Sequence, residues 1–380
     1  MNAPTGRPEL VERLRSEIGR HGPLTFDRFM DMALYEPGLG YYAARGDSAM
    51  GQTDTWLDFQ TSPQVHSIFG TLIARQLEIL WIALNCPEPF VVVELGAGDG
   101  ELASQIVRAL ADLHPDLCLV YHAVDRRPRS TWQAAPDAIP GSIQRWDDLE
   151  QISRTNLSAH CVLSNEFFDA LPVHRVTWLD GKLWEVYVDW SNHGFVEHLA
   201  PPSNEKLIDW LAAAEASLTE GWTGEICLRL PGIVEHIARL INRGVVLTID
   251  YGGEAEELHD LSRNGGTLIA YHRHHWNDDV LTRIGEQDLT SHVDFSALMR
   301  LGLCHGLTPA GFTTQRDFLL ALDLPSVAQR MLAEELTAAK RWQSHFAINE
   351  LLRQDGLGRL KVLAQQKGLP TFWLSGARRQ

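Results

Sequence analysis

Glu94-Leu95-Gly96-Ala97-Gly98-Asp99-Gly100 sets three glycines at alternate positions, after the apolar run Val91-Val92-Val93 and before a helical stretch from Glu101 to Leu113. Glycine reaches φ values that side chains forbid, so a ligand can lie directly on this backbone, and the following helix aims its free N–H groups at that ligand. The spacing bears on which ligand. A dinucleotide fingerprint wants its third glycine three residues after Gly98, but Glu101 stands there and the third glycine is Gly100. Glu94, two places before the first glycine, favours a ligand with a cationic amine, and S-adenosylmethionine carries both an α-amino group and a sulfonium. Glu94, Gly96, Ala97, Gly98 and Gly100 are therefore the expected cofactor contacts, against the plainer reading of a tight strand-to-helix turn in any α/β protein.

Two further stretches belong with this loop. Leu117 to Val124 is an apolar strand ending at Asp125, and an acid at the end of the second strand of a doubly wound sheet commonly holds a ribose through its hydroxyls. Ile143 to Asp148 follows as a short third strand whose end would lie beside an adenine, with Trp146 or Asp147 to stack or accept; a buried tryptophan explains Trp146 equally well. A second constellation is Asn165-Glu166-Phe167-Phe168-Asp169-Ala170-Leu171-Pro172, delivered to the carboxyl edge of the sheet by the strand His160 to Ser164. Burying Glu166 for packing alone is costly without a charged or hydrogen-bonded partner, and a binding site supplies one. His272 and His274 would share one face of a strand, but no third ligand stands at a typical interval, so no metal is expected.

The totals narrow the classes. The chain has 380 residues, enough for one large domain with insertions or two smaller ones, and its 44% hydrophobic content is ordinary for a globular protein. A net charge of −16 disfavours wide contact with phosphate backbones, so nucleic acid is a poor partner. Cys86, Cys118, Cys161, Cys227 and Cys304 are scattered without zinc-like spacing and read as small buried hydrophobes in a reducing compartment. The first twenty residues lack a signal-type apolar core and carry Glu9, Glu12 and Glu17, and no apolar run approaches the roughly 20 residues that span a bilayer. A cytoplasmic protein is expected, a bacterial cytoplasm ahead of a mitochondrial matrix.

The elements that must position these residues follow from periodicity. Residues 1–85 read as an N-terminal helical cap, with Leu10, Val11, Leu14 and Ile18 at helical spacing, then Phe26, Phe29, Met30 and Ala33, an aromatic loop from Tyr35 to Tyr42, and a long helix for which Ser62 is the expected N-cap and Pro63 the first residue. Residues 86–171 form the first half of the cofactor core. Residues 172–224 interrupt the alternation with two strands joined at Asp180-Gly181, a hairpin signal, and a helix from about Asn204 to Leu218, as an insertion over the substrate side. Residues 225–325 complete the core, including the strand Val245 to Ile249 and an inserted loop, and residues 326–380 read as a C-terminal helical segment.

Assembled in order, these stretches resemble the MidA-like S-adenosylmethionine-dependent methyltransferases. The matching residues are Ala33-Leu34-Tyr35 through Gly40-Tyr41-Tyr42, Asp58-Phe59 with Thr61-Ser62-Pro63 and Phe69-Gly70, Glu94 to Gly100, Asn165 to Val173, Ile249-Asp250-Tyr251-Gly252, Gly266-Thr267-Leu268, and Asp288-Leu289-Thr290 with His292-Val293-Asp294-Phe295. The N-E-F-F-D-A-L-P and D-L-T-x-H-V-D-F stretches are far more specific than the glycine loop. Two departures stand out: Ala97 and Asp99 replace the proline and arginine many members carry between the glycines, and Asp125 replaces a glutamate followed by a serine. The resemblance implies an α/β, doubly wound, Rossmann-like class I methyltransferase sheet with an N-terminal helical segment and substrate-side insertions. It implies S-adenosyl-L-methionine as cofactor, and a protein arginine as acceptor, on a subunit of the respiratory complex I type. A guanidinium stays protonated at any working pH, so carboxylates must hold it and stabilise its charge as a proton departs. Glu166 is the expected holder, with Asn165 orienting and Asp169 and His292 as further catalytic candidates; Asn165 also counts among the cofactor contacts. Transfer to a nucleobase amine, or a non-catalytic assembly role with bound cofactor, are the alternatives. Pairing with a second copy is left open.

Overall fold

A computed structural model describes residues 6–44, 61–128, 132, 143–192, 194–214, 218–258, 265–273, 275–369, 372 and 374–377. Its centre is a seven-stranded sheet: β1 (Phe90–Leu95), β2 (Leu119–Val124), β3 (Ile143–Trp146), β4 (Ala159–Asn165), β5 (Ile241–Asp250), β6 (Thr308–Thr314) and β7 (Lys361–Lys367). Across the sheet the order is β3-β2-β1-β4-β5-β7-β6. The first five are mutually parallel, and β7 runs antiparallel to both its neighbours. Order reverses between β1 and β4, so the segments leaving those two strands open a crevice at the carboxyl edge, where open α/β sheets bind ligands. The glycine loop leaves β1 and the Asn165–Glu166 turn leaves β4.

Both faces of the sheet are covered. Phe90 and Val92 of β1 pack toward the helices Ile68–Ala83 and Glu101–Leu113, while Val91, Val93 and Leu95 pack toward Leu230–Leu240 and Phe295–Cys304. All six residues of β1 are buried, which is why a continuous apolar run rather than an alternating one encodes it. The hairpin expected at Asp180-Gly181 is present, with φ of 53° and 67° at the two turn residues, joining His174–Leu179 to Lys182–Ser191. Leu24–Thr25 adds to the same inserted sheet, so the N-terminal helices and the insertion share one core containing Leu10, Phe29, Val188 and Phe195.

Three expectations are corrected. Residues 326–380 are not helical throughout: helices Leu324–Glu334 and Ala338–Glu350 are followed by β7, inserted between β5 and β6. Val362, Leu363 and Ala364 are buried without alternation, and a short apolar run of this kind cannot be told from a buried helical turn by periodicity. The sequence reading assigns no strand to Thr308–Thr314 either, where Pro309 and Gly311 obscure it and the pairing carries an irregularity between those residues. Thr61, not Ser62, holds the N-cap position, and the helix breaks at His66-Ser67. Ser62 is occupied elsewhere, its N–H on Glu166 and its hydroxyl on Gln315. Asp58-Phe59 and His274 lie outside the described residues.

Candidate active site

The crevice is a cavity of about 590 Å³ lined at one end by Glu94, Gly96, Ala97 and Gly98 and at the other by Asn165, Glu166, Asp169, Asp288 and His292. Gly96 and Gly98 have φ of 70° and 65°. A Cβ on Gly96 would come within 2.9 Å of the Phe167 ring, and one on Gly98 within 2.1 Å of the Arg127 guanidinium, so both positions need glycine for conformation and for space.

Glu94 is 3% exposed, and one of its oxygens accepts the Tyr121 hydroxyl at 2.8 Å. Burial pushes its carboxyl up to about 8, with the Tyr121 hydrogen bond opposing. Asp125 lies beside the loop without lining the cavity: it accepts the N–H of Gly98 at 2.6 Å and that of Arg127 at 2.7 Å, and pairs with the Arg127 guanidinium at 3.3 Å. It therefore anchors the glycine loop, while Arg127 presents the side chain on that wall. Gly100 also stands outside the cavity lining and holds the N-cap position of the helix Glu101–Leu113. Trp146 and Asp147 are not brought to the cavity. The Trp146 indole donates to His122 at 3.0 Å and packs with the buried face of the sheet, and Asp147 is exposed. Trp146 is the last residue of β3 and turns to the packed face, while Asp147 lies just past the strand.

The acceptor end is acidic. Glu166 has φ of 50°, a left-handed conformation rare for a residue with a side chain and one that clusters at functional sites. One of its oxygens accepts from Ser62 N–H at 3.0 Å and from the Asn165 amide at 2.9 Å; the other, and the Asn165 carbonyl oxygen, are buried without a partner among the described residues. Burial first, then Asp169, pushes the Glu166 carboxyl up to about 8. Asp169 is raised well above the usual carboxylate range by burial and by Asp250 and Asp288. His292 lines the same cavity, but its Nε2 faces the Arg359 guanidinium at 3.2 Å. Arginine can only donate, so His292 Nε2 accepts from Arg359 at the rim of the cavity.

Several residues here were outside the expected set. Asp250 closes β5 and accepts the N–H groups of Phe167 and Phe168, at 3.0 and 2.8 Å. Tyr42 donates to the Asp288 carboxylate, and Tyr251 and Tyr271 form aromatic walls. Tyr42, Asp250 and Asp288 stood in stretches marked by the resemblance, so the signal was present without a role attached. Arg359 carried none: it arrives from the turn before β7, and only the tertiary fold brings it to the cavity.

Residues 72–313 match the family described as S-adenosyl-L-methionine-dependent methyltransferase. The chain belongs to that family. The chain is also 29% identical over 362 residues to a protein named protein arginine methyltransferase NDUFAF7 homolog, mitochondrial, from Drosophila melanogaster, covering 88% of this chain and 79% of that protein. It is 30% identical to the Rattus norvegicus protein arginine methyltransferase NDUFAF7, over 82% of this chain and 73% of that one. A crystal structure from Burkholderia thailandensis bound to S-adenosyl-homocysteine is 28% identical, with a TM-score of 0.84, covering 97% of this chain and 95% of its own. The chain is thus a methyltransferase with S-adenosyl-L-methionine as its cofactor. The residues fit that group: a loop open to close backbone approach and a buried carboxyl at Glu94 able to meet an ammonium.

Proposed function

We propose that this enzyme methylates a guanidinium nitrogen of a protein arginine, on a subunit of the respiratory complex I type as the family resemblance implies. The observation that carries the reading is the pair of buried, unpartnered acceptors at the seat, one Glu166 oxygen and the Asn165 carbonyl oxygen. The Asn165 amide oxygen, and Glu166 once its proton has left, call for a donor, and a guanidinium is a planar group of five N–H donors with no acceptor. Asp169 and Asp288 add carboxyl groups to the lining, and the Tyr251 and Tyr271 rings offer flat walls for a planar cation. A nucleobase within a nucleic acid is disfavoured by the net charge of −16. The names of the relatives support the same acceptor.

When bound, the cofactor supplies a methyl on a sulfonium, already a good leaving group. The protein's share is alignment and charge. Glu94 meets the amino group of the cofactor. Glu166, neutral by burial until a cation arrives, ionises against the guanidinium and holds it; as the new N–C bond forms and the C–S bond breaks, the proton released by the guanidinium passes to that carboxylate. The test is a labelled-methyl assay on extract from cells lacking this protein, followed by hydrolysis. Label recovered as methylarginine is the expected result; label in nucleic acid, or on lysine, contradicts the reading.

A further inference from the structure

We propose that Asp250 is a positioning residue for methyl transfer, its single carboxylate fixing both walls of the acceptor seat. The proposal rests on Glu166 as the acceptor carboxylate. In the parallel register of β4 and β5, Ile249 stands opposite Asn165, which brings Asp250 beside Glu166 at the sheet's edge. Asp250 has no exposed surface. One of its oxygens accepts the N–H of Phe167 at 3.0 Å and of Phe168 at 2.8 Å, immediately after Glu166; the other accepts the N–H of Tyr251 at 2.9 Å. Glu166 N–H in turn donates to the Ile249 carbonyl at 2.9 Å. The turn from β4 and the wall after β5 are thus tied to one group.

The consequence reaches the cofactor loop. Glu166 holds a left-handed backbone, and the turn around it is held by the Phe167 and Phe168 N–H groups on Asp250 and by its own N–H on the Ile249 carbonyl. The Phe167 ring abuts Gly96 so closely that a methyl there would lie 2.9 Å away. A displaced turn would therefore carry the acceptor carboxylate and the ring away from the cofactor loop, which keeps its own anchor on Asp125, changing the distance that transfer must cross. Alanine at 250 leaves three N–H groups without their acceptor. Asparagine keeps one acceptor oxygen and sets an amide donor against N–H groups.

If Asp250 only closed the strand, its loss would lower stability without singling out transfer. The experiment compares Asp250→Asn, Asp250→Ala and, as a destabilised control on the helix Leu230–Leu240, Ile237→Ala. Each is measured for melting temperature, for S-adenosyl-homocysteine affinity by calorimetry, and for KM of the cofactor and the rate of label transfer to proteins of the deficient extract. Expected are unchanged cofactor affinity and KM in all three, a loss of about 100-fold in transfer rate for Asp250→Ala, an intermediate loss for Asp250→Asn, and retained transfer in the control. Transfer by Asp250→Ala at the control's rate, or a parallel fall of cofactor affinity and rate, overturns the proposal. Glu166→Gln assayed alongside separates the two ideas: normal transfer there defeats the acceptor reading, whereas an inactive Glu166→Gln with an active Asp250→Ala defeats only the role of Asp250.

Discussion

Glu94 shows how one buried group can tie cofactor binding to pH. Burial holds its carboxyl near 8, above the 4.5 of the free side chain, so in the folded protein it keeps its proton at neutral pH. Its contribution to stability is full below the unfolded value and is lost as pH rises through about 8. Binding runs the other way: the ammonium of the cofactor favours the ionised carboxylate, so binding near neutral pH releases a proton. S-adenosyl-homocysteine affinity should weaken about tenfold per unit as pH falls below about 8, and calorimetry in buffers of different ionisation enthalpy should register the proton. A flat pH profile, or one matched by Glu94→Gln, would defeat this role. Gly96→Ala should abolish cofactor binding through both its φ of 70° and the Phe167 contact. At this scale the glycine loop and the Asn165–Glu166 pair were legible, because their residue types are costly anywhere but a site. Trp146 was not, since a strand's pleat decides which way a side chain points, and Asp250 was visible only as the end of a strand.

The elements explain which parts of the fold could be read. β1, β2 and β4 are apolar runs bounded by turn residues, and the 174–191 hairpin carries its own turn signal, so each announces itself locally. β6 and β7 do not: their pairing joins segments some fifty residues apart, and their burial removes the alternation that marks a strand. β7 is nonetheless central. Leu363, fully buried between β5 and β6, should cost about 2–5 kcal/mol on truncation to alanine. Leu336, 94% exposed, should cost less than about 0.5 kcal/mol for the same change. Equal losses in thermal unfolding would show that β7 is peripheral. The Arg359 rim depends on this strand too, because the turn carrying it is held by β7's place in the sheet.

Across the whole molecule, a net charge of −16 sets a negative field around a seat lined by the carboxyl groups of Glu166, Asp169 and Asp288. Such a field draws cations and is screened over about 10 Å at 0.1 M salt. Labelling of extract proteins below saturation should therefore slow several-fold as ionic strength rises, with S-adenosyl-homocysteine affinity much less affected; salt-independent labelling would contradict a cationic acceptor. The central claim is that Glu166 holds the acceptor rather than the cofactor. Its most direct measurement is Glu166→Gln, with S-adenosyl-homocysteine calorimetry and labelled-methyl transfer run on one preparation. Cofactor affinity equal to the unaltered protein's with transfer abolished is the predicted result, and transfer at the unaltered rate would contradict the account.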